Sequence, residues 1–525
     1  MISDEFHVYD TTMRDGAQQE GLNLSVQDKM HVARHLDDLG VGFIEGGWPG
    51  SNPKDTEFFA LAAKELELQN ATLAAFGATR RAGVAAADDP LVAALRDSGA
   101  SVVTLVAKSH DRHVELALRT TLEENLAMVR DTVAHLRAEG QRVFVDCEHF
   151  FDGYAANRDY ALQVVAEAAG AGADVVVLCD TNGGMLPHQV EEVVADALGV
   201  GARLGIHAHN DTGCAVANSM AAVRAGATHL QGCINGYGER TGNADLVTSV
   251  ANLELKLGMS VLPEGALADA TRIAHAVAEI TNYPPSARQP YTGVSSFAHK
   301  AGLHASAIRV DPDLYQHVDP ALVGNDMRLL VSEMAGRATI ELKGRELGYD
   351  VAADAGRLAR VTDRVKAMEQ QGYTFEAADA SFELLLAEEM EGGRPSYFDV
   401  ESWRVLAESA RGTEATVKLR AAGQRLAVIG EGNGPVNALD HALRQAIEQL
   451  YPDVARFHLI DFRVRILDQG HGTDAVTRVL IETSDGQDSW VTVGVGANMI
   501  EASWEAMVDA LTYGLRRHGV PVGSA

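Results

Sequence analysis

Eight short apolar runs, each followed by a segment with apolar residues at helical spacing, fill the first half of this chain and constrain its fold more than any other feature. They lie at 7–10, 41–45, 72–76, 102–106, 143–147, 174–178, 204–207 and 229–233, recurring about every 30 residues. The segments between them, such as 25–39, 120–139, 157–170 and 214–225, repeat their apolar residues at the period of an α-helix. Strands this uniformly apolar are buried on both faces, so the pattern predicts a parallel sheet covered by helices. Eight such units over about 260 residues match a closed (β/α)8 barrel. A doubly wound open sheet is the alternative, but no Gly-x-Gly-x-x-Gly follows the first run.

A barrel of this kind carries its active site at the C-terminal ends of the strands. Arg14 and Asp15 follow the first run, Glu45 ends the second, Glu148 the fifth, and Asp180 and Thr181 the sixth. His207 and His209 end the seventh, and 235–243 follows the eighth. Two histidines two apart on a strand point to the same face. Two neutral imidazoles and a carboxylate are a common ligand set for a divalent transition metal. An isolated His-x-His is a weak signal; the gathering of charged and ligating side chains on one rim is a strong one.

At 525 residues the chain has room for two or three domains. Lys and Arg total 44 against 73 Asp and Glu, a net charge of −29, which argues against nucleic acid or an anionic membrane as the main partner. The N-terminus lacks the basic and apolar pattern of a signal sequence, and no apolar run reaches transmembrane length, so a cytoplasmic location is expected. Cys147, Cys179, Cys214 and Cys233 form no Cys-x-x-Cys pair and read as reduced and structural. Trp48, Trp403, Trp490 and Trp504 also read as structural.

The expected domains are a barrel over 1–275, a mainly helical linker subdomain over 276–390 and an α+β domain over 391–525. Pro-containing stretches around 259–290 mark the exit from the barrel, and the Glu-Gly-Gly-Arg-Pro run at 391–395 marks the second boundary. The last part repeats with a period of 64: Ile429, Gly430 and Gly432 align with Val493, Gly494 and Gly496. Ala438, Ala442 and Ala446 likewise align with Ala502, Ala506 and Ala510. Each copy reads as a β-β-α unit, with a Gly-rich turn before a helix whose N-terminus has backbone N–H groups to offer an anion. The Gly spacing at 430–434 fits no phosphate-binding fingerprint, so the repeat is read as a regulatory or dimerisation module.

Three motifs carry a resemblance that spans the chain: Asp-Thr-Thr-Met-Arg-Asp-Gly-Ala-Gln (10–18), Gly-Ile-His-Ala-His-Asn-Asp (205–211) and Gly-Glu-Arg-Thr-Gly-Asn (238–243). With Ala-Gly-Leu-His (301–304) and the closing repeats, they resemble the DRE-TIM metallolyase superfamily, in the branch of 2-isopropylmalate, homocitrate and citramalate synthases. The segments 43–54 and 144–154 look most like the citramalate-synthase type. The resemblance implies an acyltransferase that condenses acetyl-CoA with a small 2-oxo acid, here pyruvate, and hydrolyses the thioester, in isoleucine biosynthesis. It implies Asp15, His207 and His209 as ligands of a divalent metal ion (Mn, Mg, Co or Zn), with Asn243 as a weaker fourth. It places Arg14, Gln18, Glu45 and Thr181 in substrate binding, and Arg14, Glu148, His304 and Tyr315 in catalysis, the last two from the linker subdomain. It also implies a homodimer with isoleucine as a feedback effector of the C-terminal module.

Other readings compete on the residues alone. A non-haem iron oxygenase uses the same ligand types, but its His-x-Asp spacing and all-β frame are absent. A metal-dependent aldolase or lyase on the same barrel is closer, though such enzymes usually lack a duplicated C-terminal module. A non-enzymatic sensor would not need the intact rim.

Overall fold

The computed structural model describes residues 4–308, 310–331, 336–394, 396–408, 412–467 and 475–521. Contacts divide it into two compact units, one of residues 1–297 and 318–326, the other of 298–317 and 327–525. Pro395, the last residue of the expected second boundary, lies outside the described residues.

The first unit is built on a closed eight-stranded parallel barrel in sequence order. Its strands are β1 (His7–Asp10), β2 (Phe43–Gly47), β3 (Thr72–Ala78), β4 (Val102–Lys108), β5 (Arg142–Glu148), β6 (Val175–Asp180), β7 (Leu204–Ala208) and β8 (His229–Gly232). Closure pairs β1 with β8, His7 against His229 and Tyr9 against Gln231. Outward-facing Val8, Ile44, Val103, Val145, Leu178 and Ile206 meet the surrounding helices in one buried core. A second, inner cluster of Tyr9, Phe43, Phe144, Val175, Val177 and Cys179 fills the barrel itself. Both faces of each strand are thus buried, which is why the runs lack polar alternation. Polar side chains start the intervening helices: Ser25 forms a capping box with Asp28, while Thr121, Asn157 and Asp245 each accept from a backbone N–H of the first turn.

One loop needs its glycine. Gly47 sits at φ +135°, and a Cβ there would meet the Asp55 carboxyl carbon at 2.3 Å. Asp55 is buried, paired with Lys29 at 2.5 Å, and accepts from the Trp48 backbone N–H at 2.9 Å. This pair fixes the chain where it leaves β2 and sets the position of Trp48.

The second unit opens with a two-residue parallel pair, β9 (Ala298–His299) and β10 (Arg328–Leu329). Helices Arg337–Glu346, Ala355–Gln370 and Asp379–Glu391 follow, sharing a core around Phe375 and Phe382. The C-terminal repeat folds as two modules: β11 (Phe398–Glu408), β12 (Gly412–Ala421) and β13 (Gln424–Gly432) with helix Pro435–Ile447, then β14 (His458–Ile466), β15 (Thr477–Ser484) and β16 (Ser489–Gly496) with helix Met499–Arg517. Each is therefore β-β-β-α, one strand more than the expected β-β-α. In both modules the first strand contains a bulge, at 400–402 and 459–461, which breaks the period-two pattern that would have revealed it. The helices lie close on the sheets through the predicted small faces: Ala438, Ala442, Ala502 and Ala506 are buried. A Cβ on Gly430 would meet the Ala442 backbone nitrogen at 2.4 Å. The helix N-termini are less open than expected. Pro435 begins the first, and Asn498 already caps the second by accepting from the Ile500 and Glu501 N–H groups.

Candidate active site

The turn after β1 is tied down before it reaches the rim. Asp10 accepts from the Thr12 backbone N–H and hydroxyl at 2.9 and 2.7 Å, and Thr12 Oγ1 accepts from the Ile234 N–H at 2.9 Å. This knot joins β1 to the loop after β8 and presents Arg14 and Asp15 over the barrel mouth. Across from them, β7 delivers His207 at its end and His209 one step beyond, both facing inward as the two-residue spacing predicts. His207 Nε2 lies 3.0 Å from Asp15 Oδ2 and 3.3 Å from His209 Nε2; His209 Nε2 lies 3.7 Å from the same oxygen.

These three buried side chains offer donor atoms within 4.8 Å of one another. Burial opposes the charge on Asp15, but Arg14 and His207 hold its pKa well below the usual carboxylate range. Burial, then His207, lowers His209 to about 4, so its imidazole presents a lone pair. Asn243 is paired with His209 in an isolated β-bridge; its amide N–H donates to Cys233 Sγ, and its Oδ1 is buried without a partner. Two imidazole nitrogens, one carboxylate and an unused amide oxygen fit a divalent cation.

Arg14 is held on three sides. Its Nε donates to Glu45 Oε2 at 2.5 Å, Nη1 lies 3.6 Å from Asp15, and the guanidinium stacks 3.8 Å from the Phe76 ring centre. Burial disfavours its charge, but Glu45, Asp15 and Asp146 more than offset this, and its pKa is raised. Glu45 lies within β2 rather than ending it, two residues deeper than the rim position expected. It is fully buried and accepts from the Tyr9 hydroxyl at 2.8 Å. Beside it, burial and then Glu45 push the Asp146 carboxyl up to about 7.

A cavity of about 580 Å³ opens above this layer, lined by Arg14, Asp15, Gln18, Asp146, Glu148, Thr181, His207 and His209, with Trp48 and Phe76 on the β2–β3 side and Lys108 and Arg240 at its edge. Glu148 is ion-paired with Lys108. Thr181 Oγ1 accepts from the His149 N–H at 2.8 Å, which leaves the hydroxyl proton free to donate elsewhere. Arg240 forms a two-point pair with Asp211 and donates to the Thr181 carbonyl.

The barrel thus gathers Arg14, Asp15, Gln18, Glu148, Thr181, His207 and His209 in one cavity wall, with Glu45 beneath and Asn243 beside His209. His304 and Tyr315 belong to the second unit, where their rings stack at 4.1 Å. Sequence reasoning missed Lys108, Asp146, Gln231 and Arg240. Lys108 closes β4 as Glu148 closes β5, so the end-of-strand rule that found one should have found the other. Trp48, read as structural, lines the cavity.

Comparison with known proteins gives three consecutive matches: HMGL-like over 5–277, homocitrate synthase post-HMGL domain-like over 291–373 and LeuA allosteric (dimerisation) domain over 376–515. The (R)-citramalate synthase of Streptomyces coelicolor is 66% identical, covering 99% of this chain and 98% of its own. Those of Synechocystis sp. and Aquifex aeolicus are 48% and 47% identical, covering 97% and 98% of this chain and 96% and 99% of their own.

Proposed function

The chain belongs to the HMGL-like family, and from that premise we propose that it is a citramalate synthase. Acetyl-CoA, pyruvate and water give citramalate and CoA, a carbon–carbon bond forming between the acetyl methyl and the pyruvate ketone before the thioester is hydrolysed. The observation that carries this reading is near end-to-end identity with several (R)-citramalate synthases, 66% in one case. The rim constellation has the chemistry such a reaction needs.

Asp15, His207 and His209 are assigned to hold a divalent ion, with Asn243 Oδ1 as a further oxygen. Bound there, the ion supplies Lewis-acid polarisation of the 2-oxo acid. Arg14 places a fixed, planar cation beside the same position, where negative charge grows on the ketone oxygen. Glu45 and Phe76 hold that guanidinium in one orientation, so it need not reorganise during reaction. The Thr181 hydroxyl, already accepting from His149, is set to donate to the substrate carboxylate. Gln18, exposed at the cavity edge, is assigned to the acetyl side.

Removing a proton from the acetyl methyl needs a positioned base. Glu148 keeps lone pairs beyond those used by Lys108 and lines the same cavity, which supports its assignment to this step. His304 and Tyr315 are assigned to proton transfer and to activating the hydrolytic water. The C-terminal match to an allosteric (dimerisation) domain supports a feedback-regulated homodimer; isoleucine is assigned as its effector and the cytoplasm as its location.

Release of CoA thiol from acetyl-CoA, measured with pyruvate, 2-oxobutyrate, 2-oxoisovalerate and 2-oxoglutarate, tests the assignment. Pyruvate is expected to give the highest kcat/KM. Preference for 2-oxoisovalerate would instead make the chain a 2-isopropylmalate synthase.

A further inference from the structure

Five polar side chains form one line through the inside of the barrel, from its N-terminal end to the histidine pair at the rim. Asp4 Oδ1 lies 2.9 Å from His7 Nε2, and His7 Nδ1 lies 3.2 Å from His229 Nδ1. His229 Nε2 is 3.4 Å from Gln231 Nε2, and Gln231 Oε1 is 2.7 Å from His207 Nδ1. Asp4 is exposed; His7, His229, Gln231 and His207 are buried.

The hydrogen-bond roles along this line have only one consistent order for neutral rings. A neutral imidazole has one N–H and one lone pair. The Asp4 carboxylate only accepts, so His7 carries its hydrogen on Nε2 and offers a lone pair at Nδ1. His229 must then donate from Nδ1 and accept at Nε2. The Gln231 amide donates one hydrogen there and the other to Asp146 Oδ1 at 2.9 Å, which turns its carbonyl oxygen to His207. That oxygen can only accept, so His207 carries a hydrogen on Nδ1, and Nε2, which faces Asp15 at 3.0 Å and His209 at 3.3 Å, is the nitrogen left to a metal once the hydrogen it shares with the Asp15 carboxylate is released. Burial keeps the two inner rings neutral, lowering His7 to about 4 and His229 well below its ordinary value.

We propose that Asp4, His7, His229 and Gln231 are positioning residues that hold His207 as the Nδ1–H tautomer, with its Nε2 lone pair turned to the metal position. The proposal rests on the reading of His207 as a ligand. It extends that reading from the rim to the opposite end of the barrel. Partners behind a ligating histidine fix its ring orientation and raise its basicity, and losing one typically weakens metal binding by roughly 10- to 100-fold.

The test uses the full-length protein with 15N-labelled histidine. Without added metal, long-range 1H–15N spectra should show His7 protonated at Nε2 and His229 at Nδ1; the opposite tautomer at His229 would overturn the proposal. Asp4→Ala, a surface change that leaves the barrel core intact, should replace these single tautomers with mixtures, and an unchanged pattern would refute the directional order. In Mn²⁺ titrations by calorimetry, Gln231→Leu should bind at least tenfold more weakly than the unchanged chain. Affinity within twofold would remove Gln231 from this role. Should Gln231→Leu fail to fold, the His229 tautomer and Asp4→Ala still decide. Failure of the unchanged chain to bind Mn²⁺ would overturn the ligand assignment instead, a result separate from the metal-free tautomers.

Discussion

Replacing Arg14 with lysine separates positive charge from geometry in the proposed mechanism. A guanidinium has five N–H donors in a rigid plane. In this structure Nε is spent on Glu45 at 2.5 Å and the plane is stacked 3.8 Å from the Phe76 ring centre, with the side chain lining the cavity. The terminal nitrogens therefore remain to reach over the reacting oxygen. A lysine ammonium is a single centre. Glu45 is fully buried, and leaving such a carboxylate unpaired costs about 3–5 kcal/mol, so the ammonium is drawn down to it and away from the substrate. The fold and the pocket survive, while the transition-state contact is lost. Losing one donor to a developing oxyanion typically costs about 2.7–4 kcal/mol, or roughly 10²- to 10³-fold in kcat. The assay is steady-state CoA release with saturating acetyl-CoA and Mn²⁺ and varied pyruvate, paired with a thermal melt. Turnover should fall by at least a hundredfold, with KM for pyruvate and Tm little changed. A kcat within about threefold of the unchanged enzyme, less than 1 kcal/mol, would refute the role given to Arg14.

His209→Ala should lower metal occupancy, measured by elemental analysis after dialysis, and abolish condensation while the far-ultraviolet circular dichroism stays unchanged. Full activity after that change, or after exhaustive chelation, would remove the metal from the mechanism. His7, buried, has a folded pKa of about 4 against an ordinary 6.5, so the unfolded chain binds more protons between those values. Its stabilising contribution is complete above pH 6.5 and is lost as pH falls through 4, on the order of 3 kcal/mol in all. Tm should accordingly fall less on acidification in His7→Gln than in the unchanged chain, and equal slopes would contradict this. In the second unit, a Cβ on Gly494 would meet the Ala502 carbonyl oxygen at 2.0 Å and the Ala506 nitrogen at 2.8 Å, both backbone atoms. Gly494→Ala should therefore destabilise this module by about 1–3 kcal/mol in chemical denaturation, and an unchanged midpoint would show that the helix shifts freely.

The barrel was legible because closing a parallel sheet inside a ring of helices buries both faces of every strand, leaving eight contiguous apolar runs. The first run matches β1 at both ends. Most of the others stop one or two residues before the strand does, since Lys108, Glu148 and Asp180 continue the ladder but not the apolar pattern. That shortfall also explains Glu45, which ends its apolar run yet lies within β2, beneath the rim. The clustering of Asp15, His207 and His209 was legible for a different reason. His207 and His209 share a face through local spacing alone, and a turn sends Asp15 inward immediately after β1. The C-terminal repeat was visible in its glycines and alanines, whose small size is needed for close packing of helix on sheet. The first strand of each copy was not, because a bulge interrupts its alternation.

What the sequence hid is the set of polar side chains inside the barrel, from its N-terminal end to just below the rim. His7, Tyr9, Glu45, Thr104, Asp146, His229 and Gln231 are all buried, and each sits inside or beside a run that reads as apolar. Their partners are remote: His7 and His229 are 222 residues apart, and Gln231 and Asp146 are separated by 85. Such pairs exist only once β1 has closed on β8, and no local pattern encodes that contact. Burying this many polar groups is costly unless each finds a partner. Here they find one another: Tyr9 bridges Glu45 and Thr104, and Gln231 bridges Asp146 and His207. An apolar filling of the same volume would satisfy the fold with less risk. The set is better explained by what rests on it, since Glu45 orients Arg14 and Gln231 orients His207. The rim holds the groups we assign to metal and substrate, and the concealed side chains hydrogen-bond two of them, Arg14 and His207, from below.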